Sequence, residues 1–519
     1  MSSYSAYRSG MYDRVLRIAS FNGVDQSQGD YSGDYGSSPN CKNFISRYDK
    51  LYTASGVAQY GATAPTSEYE SSDGRLFQGF FRDSSGNDFS RVMLALHGRF
   101  YVSDLDCKSW TPLGAGFTTN NWSSVSYRDE DHDWIIFANG EDESQYWDGT
   151  SESTFPLHPK QGATSTEEGK ELFFSKITLL NERLWGGVDA SRPDRIYWSD
   201  SFDPENWEFD FTDSSNNGGG FVDIATFDGT RIRAVVNAFD DVLVFKDKSV
   251  HRISGTYPGE FSVTQVYGSK GTLAPRTIVY NGSRLYFLSS DGLCCYNGTS
   301  VYNLSENGDR KLKDVWARIN PSTMSKACAV MMDTIIYLAV PLDGSAINTH
   351  VIEYDVSTGI YSIIEYAGVD DWLILRDNRF EYTGSSTFSG KLERLLFLNG
   401  DKIYSYGVGY TFAGEPINAS WQSPKISCGS ISSKKSTGRI YMSIDAQSLT
   451  VGSTPSIRIT MYSGDKVRSK LIPLKNGVNN IRKRVKIRGR TFSFKLENVN
   501  GDPFTINKGM EIRIEEDYD

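Results

Sequence analysis

The sequence predicts an all-β protein: a β-propeller of about seven blades, followed by a small C-terminal β-sandwich. Three observations predict it. The 519 residues include 28 Phe, 30 Tyr and 48 Gly, and aromatic side chains fit a pleated surface while Gly serves tight turns. One hairpin plan recurs, an apolar strand, Asn-Gly or Asp-Gly, then a second strand, and these dipeptides tolerate the positive φ of a hairpin turn. The hairpins recur every 40 to 60 residues, which suits one four-stranded blade per unit; a string of sandwiches would repeat at about 100 residues.

Taken in order, residues 1–45 are rich in Ser, Gly and Tyr and read as an N-terminal arm with one short strand, "VLRIASF". Such an arm is expected to close the ring of blades or to reach a neighbouring subunit. Residues 46–415 form the propeller, with hairpins beginning near residues 92, 134, 184, 241, 284, 334 and 394. The strong copies are "WIIFANGEDESQYWDGTS", "RLYFLSSDGLCCYNGTS" and "RLLFLNGDKIYSYG". One stretch, "GDRKLKDVWARINP", places Leu312, Val315, Trp316 and Ile319 at helical spacing before Pro321, and predicts an amphipathic helix between blades.

Residues 416–519 change texture, with alternating strands and longer loops, and predict the sandwich. This part is basic. Residues 421–519 carry 18 Lys and Arg against 9 Asp and Glu, so a chain of net charge −10 has about −19 on the rest. An acidic body with a basic end argues against nucleic-acid binding by the body and suits docking on an oppositely charged neighbour. The run "RKRVKIRGR", Arg482 to Arg490, alternates charge with Val485 and Ile487 as a half-buried strand does; a solvated face and a docking face both fit it.

No catalytic, cofactor-binding or metal-binding residues are expected. The His residues, 97, 132, 158, 251 and 350, are scattered, and His97 before Gly98 reads as a turn residue. No Walker loop, Gly-x-Ser-x-Gly elbow, Cys-x-x-Cys or His-Glu-x-x-His is present. The six Cys, at 41, 107, 294, 295, 328 and 428, lack metal or disulfide spacing and are expected as reduced thiols. Cys294 and Cys295, as strand neighbours, should point to opposite faces. The first twenty residues lack an apolar signal core, and no run approaches 18 apolar residues, so neither secretion nor a membrane span is expected. The Asn-x-Ser/Thr sites at Asn281 and Asn297 then carry no glycan. A propeller glycosidase is the enzymatic rival: Asp106 with Trp110 and Asp203 with Trp207 approach the Asp-box turn, but both lack its Gly.

The most distinctive stretch is "NERLWGGVDASRPDRIYWSDSFDPENW", residues 181–207. Tyr197 and Trp198 should alternate across a strand, with one ring in the core. Asp203-Pro204 should start a tight turn over which Trp207 packs back. A subunit interface is the other use of such Trp and Arg residues. This stretch resembles a recurrent line of tailed-bacteriophage tail β-propeller proteins, the hub, nozzle or DNA-stabilisation components of the virion. "FNGVDQSQGD" with Ser38, Pro39, Asn40 and Asn43, "DVLVFKDKSVHRISG", and "WQSPKISCGS", "SKKSTGRIYMSI" and "RVKIRGRTFSFKLENVNG" are similar to the same family, in order along the chain.

The resemblance implies a non-enzymatic structural protein of the virion tail, assembled in the host bacterial cytoplasm. It implies copies of itself in a ring, most often six, partnered by portal, adaptor or other tail proteins. Genomic DNA would pass through the ring without sequence-specific binding. A receptor- or glycan-binding tail protein is the alternative.

Overall fold

Of the Asn-Gly and Asp-Gly signals, Asp291-Gly292 and Asn399-Gly400 lie at hairpin turns, closed by the pairs Ser289–Gly292 and Asn399–Lys402, but other turns are made differently. Tight two-residue hairpins with both φ positive include His97–Gly98, Asn181–Glu182 and Phe239–Asp240, and also Tyr48–Asp49 and Ala413–Gly414. Asn139-Gly140, Asp148-Gly149 and Asn297-Gly298 lie instead at strand ends. There the Asx side chain accepts the next N–H groups, as Asn139 Oδ1 does from Glu141 and Asp142 at 2.9 and 2.8 Å, and only the Gly takes positive φ.

The computed structural model describes residues 12–27, 34–65, 73–130, 132–158, 160–161, 172–207, 218–304, 311–377 and 393–516. The chain is all-β and built of many small sheets. Six four-stranded antiparallel sheets follow one another, spanning 75–115, 123–156, 174–223, 232–267, 279–303 and 328–365. A seventh takes Asp371–Arg376, Glu393–Asn399 and Lys402–Tyr406, and its next strand is Val57–Gln59, from far earlier in the chain. Each of the seven hairpins read from the sequence lies within one of these sheets.

Hydrogen bonds tie each sheet to the next. Arg82 N donates to Asp133 Oδ2 at 2.7 Å, Ser123 Oγ to Ser175 O at 2.9 Å, and Asn237 Nδ2 to Leu179 O at 2.8 Å. Phe239 N donates to Tyr280 Oη at 3.2 Å, Arg276 Nη2 to Lys326 O at 2.9 Å, and Asn348 Nδ2 to Val369 O at 2.8 Å. The seventh sheet meets the first, where Leu76 N donates to Asp371 Oδ2 at 3.1 Å. An apolar cluster fills each of these seven seams.

Burial on both faces follows from that stacking, and it corrects one expectation. Tyr197 and Trp198 do alternate, but both rings are buried, Tyr197 in the seam before its sheet and Trp198 in the seam after. Cys294 and Cys295 divide the same way between two seams. A sheet covered on both sides needs continuous apolar runs rather than alternation, as in "IIYLAV", where all six residues are buried.

The N-terminal segment joins the C-terminal strands. Tyr12–Ile18 pairs along Met510–Glu516, Asn40–Lys42 pairs with Ser420–Gln422, and Lys50–Thr53 pairs with the start of Phe504–Glu516. Two sheets result, one of seven strands and one of five, enclosing Ile440, Ile444, Ile459, Phe494 and Ile512. The expected helix is a single turn, Lys313–Trp316. Leu312, Val315, Trp316 and Ile319 are all buried, but Ile319 leaves the helix to bridge Leu342, so tertiary contacts end it early.

Candidate functional site

The 181–207 stretch is wired into the interior. Arg183, only 2% exposed in its side chain, donates from Nη1 to Ser199 O at 2.8 Å and Gly218 O at 3.1 Å. Asp194 accepts from Lys246 Nζ at 2.7 Å, and that fully buried ammonium also donates to Ile224 O and Thr226 Oγ1. This fastens the third sheet to the fourth. Arg195 forms a two-pronged pair with Asp223 at 2.6 and 2.8 Å and lies 3.6 Å above the Phe221 ring. Asp203 Oδ1 accepts from Glu205 N and Asn206 N, and Trp207 Nε1 donates to Pro204 O at 2.8 Å. The turn is the one the sequence predicts, and Trp185, Tyr197, Trp198 and Trp207 are all buried. These four rings pack inside the sheets, while Phe202 in the same stretch stays 60% exposed.

The scattered His residues stay apart. His97 sits in its turn at φ 55°, His132 pairs with Asp129 at 2.8 Å, His158 is exposed, and His251 and His350 bond Ser249 and Thr349. Among the described residues no three His, Cys, Asp or Glu gather as a metal site. All six Cys are free thiols, five of them buried. Of the two Asp-box approximations, Asp106 pairs with Lys108 and Trp110 Nε1 donates to Ala62 O.

A buried ionic group escapes the sequence altogether. Arg47 Nη2 lies 2.6 Å from Glu353 Oε2, and Tyr406 Oη donates to Glu353 Oε1 at 2.9 Å. Burial pushes the Glu353 carboxyl up, against the pull of Arg47 and Tyr406. These three residues come from strands 306 and 53 positions apart, so no local motif marks them.

The surface best suited to a partner lies on the C-terminal sheets. Lys466–Pro473 and Gly477–Arg484 are edge strands of the five- and seven-stranded sheets. They run side by side, since Lys470 Nζ reaches Arg484 O at 3.4 Å and Lys466 Nζ reaches Arg488 O at 3.2 Å. Val485 and Ile487 turn inward as predicted, so Lys483, Arg484, Lys486 and Arg488 face out. Val467, Leu471 and Val478 lie among them, 50%, 54% and 66% exposed. Strand edges under dense positive charge repel edges of the same kind.

No helix among the described residues is long and apolar enough to cross a membrane. No family model matches the chain, and no curated protein matches it. Among solved structures, it is similar to the extracellular domain of BT4673 from B. thetaiotaomicron, solved as part of a one-component system and as part of a hybrid two-component system. The first is 11% identical with a TM-score of 0.41, covering 88% of this chain and 61% of that one. The second is 10% identical with a TM-score of 0.40, covering 85% and 57%. The major Malassezia sympodialis allergen Mala s 1 is 13% identical with a TM-score of 0.31, covering 55% of this chain and 91% of that one. The chain thus spans about three fifths of the length of the first two.

Proposed function

We propose that this chain is a ring-forming structural subunit of a tailed-phage virion, built as a seven-bladed β-propeller with a basic double-sheet docking domain. The propeller reading is supported by seven small sheets bonded in chain order, the last to the first, and by Val57–Gln59 completing the last one. Such a strand from the other end of the chain fastens a ring of blades. The docking domain comprises the C-terminal strands together with the N-terminal arm.

The observation that carries the assembly reading is the basic face of Lys466–Pro473 and Gly477–Arg484 on a chain whose remainder is strongly acidic. A basic patch on one copy and acidic surface on the next make a head-to-tail contact, which closes into a ring when the rotation allows. An acidic wall around the axis would let DNA pass without sticking, because phosphates gain nothing from it. Portal or adaptor proteins and the virion tail are the matching partners and location.

Native mass spectrometry and negative-stain imaging of the protein, alone and with portal–adaptor complexes, test this. A ring, or a monomer that forms one on the adaptor, supports the reading. The double variant Lys470→Glu, Lys483→Glu should stay folded and fail to assemble. A chain that never joins the particle, yet binds on a glycan array, would replace the reading with a glycan-binding tail protein.

A further inference from the structure

A cavity of about 370 Å³ opens where the N-terminal segment, the end of the seventh sheet and the C-terminal sheets meet. Its floor includes the buried side chains of Ile45 and Phe504. One wall is the hairpin of Phe44–Arg47 and Lys50–Thr53. Thr53 holds it to the floor, since its Oγ1 donates to Phe504 O at 3.2 Å and accepts from Phe504 N at 3.0 Å. A second wall is the end of Lys435–Ala446 with Gln447, whose N donates to Pro503 O at 3.1 Å. The third carries Tyr410, on a loop fastened to Gly56. There Gly56 N donates to Gly409 O at 2.8 Å, and Gly407 N and Val408 N donate to Gly56 O at 3.0 Å. A Cβ at Gly56 would overlap the Thr411 carbonyl oxygen, so the loop sits directly on that glycine.

Three tyrosines border this cavity. Tyr48 is 88% exposed and Tyr410 43%, while Tyr52 is half-buried. Tyr48 stands there under strain. With Asp49 it makes the two-residue turn between Arg47 and Lys50, at φ 52° and 62°. Such a turn favours Asn followed by Gly. A bulky side chain at positive φ is destabilising, and an exposed ring recovers little of that by burial. Strain of this kind gathers where it holds a group toward a ligand.

The longer polar side chains on the cavity are Arg47, Asp445 and Gln447, all planar and two-pronged. Arg47 is already paired with Glu353 at 2.6 Å. Asp445 and Gln447 are exposed, and their side chains make no hydrogen bond or ion pair among the described residues. A cation placed here meets the Arg47 guanidinium and an anion meets the Asp445 carboxylate, so the lining favours a neutral ligand. What matches it has apolar C–H faces for the tyrosine rings and neighbouring hydroxyls for the two-pronged groups. A sugar ring has both.

We propose that this cavity binds a neutral saccharide, with Tyr48 and Tyr410 as ring platforms and Asp445 and Gln447 as hydroxyl partners. The volume lies at the small end of ligand pockets and suits a mono- or disaccharide. The inference goes beyond the assembly reading and does not need it. Every wall belongs to one chain, and no residue of Lys466–Pro473 or Gly477–Arg484 lines the cavity.

Saturation-transfer NMR on the full chain is the test. The neutral probes are maltose, lactose, cellobiose and diacetylchitobiose; the charged ones are protonated glucosamine and glucuronate. At least one neutral probe should show transfer at millimolar concentration, more strongly than either charged sugar. Tyr48→Asn suits the turn better than tyrosine does, so it should hold or raise the thermal transition while weakening the bound probe by about tenfold. Gln447→Ala, at an exposed position, should weaken it as well. Both variants should assemble as the wild type does, so loss of sugar binding and loss of assembly are read apart. No transfer from any neutral probe, a preference for a charged sugar, or unchanged binding in Tyr48→Asn would overturn the proposal.

Discussion

The Cβ that Gly23 lacks would stand 2.3 Å from the carbonyl oxygen of Tyr361, the same oxygen that accepts the N–H of Val24 at 2.9 Å. The N-terminal segment is pressed against the sixth sheet at this point, at a φ of +73° that side chains rarely adopt. Gly23→Ala must therefore carry both backbone strain and a backbone clash. We expect a loss of about 2 kcal/mol or more, read as a lower first transition in a thermal scan. An unchanged midpoint would mean that the segment is free to lift away.

Asn43 is the second rivet of that seam. Its Nδ2 donates to Asn418 O at 2.8 Å, and its Oδ1 accepts from Glu365 N at 2.8 Å, at a φ of 55°. Asn43→Ala removes both bonds and keeps the awkward φ, at a cost of about 2 to 4 kcal/mol. Asn43→Gly removes the same bonds but relieves the backbone, so it should be the milder of the two. Chemical denaturation of both variants checks the order, and the reverse order would assign the residue to side-chain packing alone.

These rivets also mark where reading the sequence stops. Hairpins are local, so their apolar runs and turn residues stand in the sequence at fixed spacing. The Asp203 turn and the Trp207 lid are local for the same reason. Asn43, by contrast, meets partners 375 and 322 residues away, and the pattern that singles it out in the sequence says nothing of what it bonds. Arg47, Glu353 and Tyr406 are each an ordinary residue of a strand; only the closing of the sheets onto one another brings them together. The helix was overextended because four apolar residues at helical spacing satisfy a tertiary pocket equally well from one turn and a bridge.

Arg47 and Glu353 give a test in pH. A carboxyl raised in the folded state holds its proton more tightly there than in the unfolded chain, so stability falls as pH rises from the unfolded value through the folded one. Arg47 limits that fall by stabilising the carboxylate at 2.6 Å. Arg47→Met should therefore cost little near pH 4.5 and about 3 to 5 kcal/mol near pH 8. Urea midpoints across that range give the answer; parallel curves for variant and wild type would show that Glu353 does not titrate with folding.

The thiols make a chemical prediction. Burial pushes Cys41, Cys107 and Cys328 up to about 12 and Cys428 to about 11. Only the thiolate reacts with an alkylating reagent. The native protein near pH 7.5 should label slowly, Cys428 first because it alone is half-buried, while the protein in guanidinium labels at all six. Rapid labelling of Cys294 or Cys295 would reveal opening of the seams on either side of their sheet.

Consider, finally, the order in which the chain leaves the ribosome. Val57–Gln59 emerges early but has no strand to join until Lys402–Tyr406 has been made, and Tyr12–Ile18 must wait for Met510–Glu516. Closing loops of that length is entropically slow, and waiting strands are open to wrong partners. The molecule thus cannot complete these sheets before Met510–Glu516 has been made. A chain broken off late in translation would expose both unpartnered strands, and completeness of the polypeptide becomes a condition of its solubility.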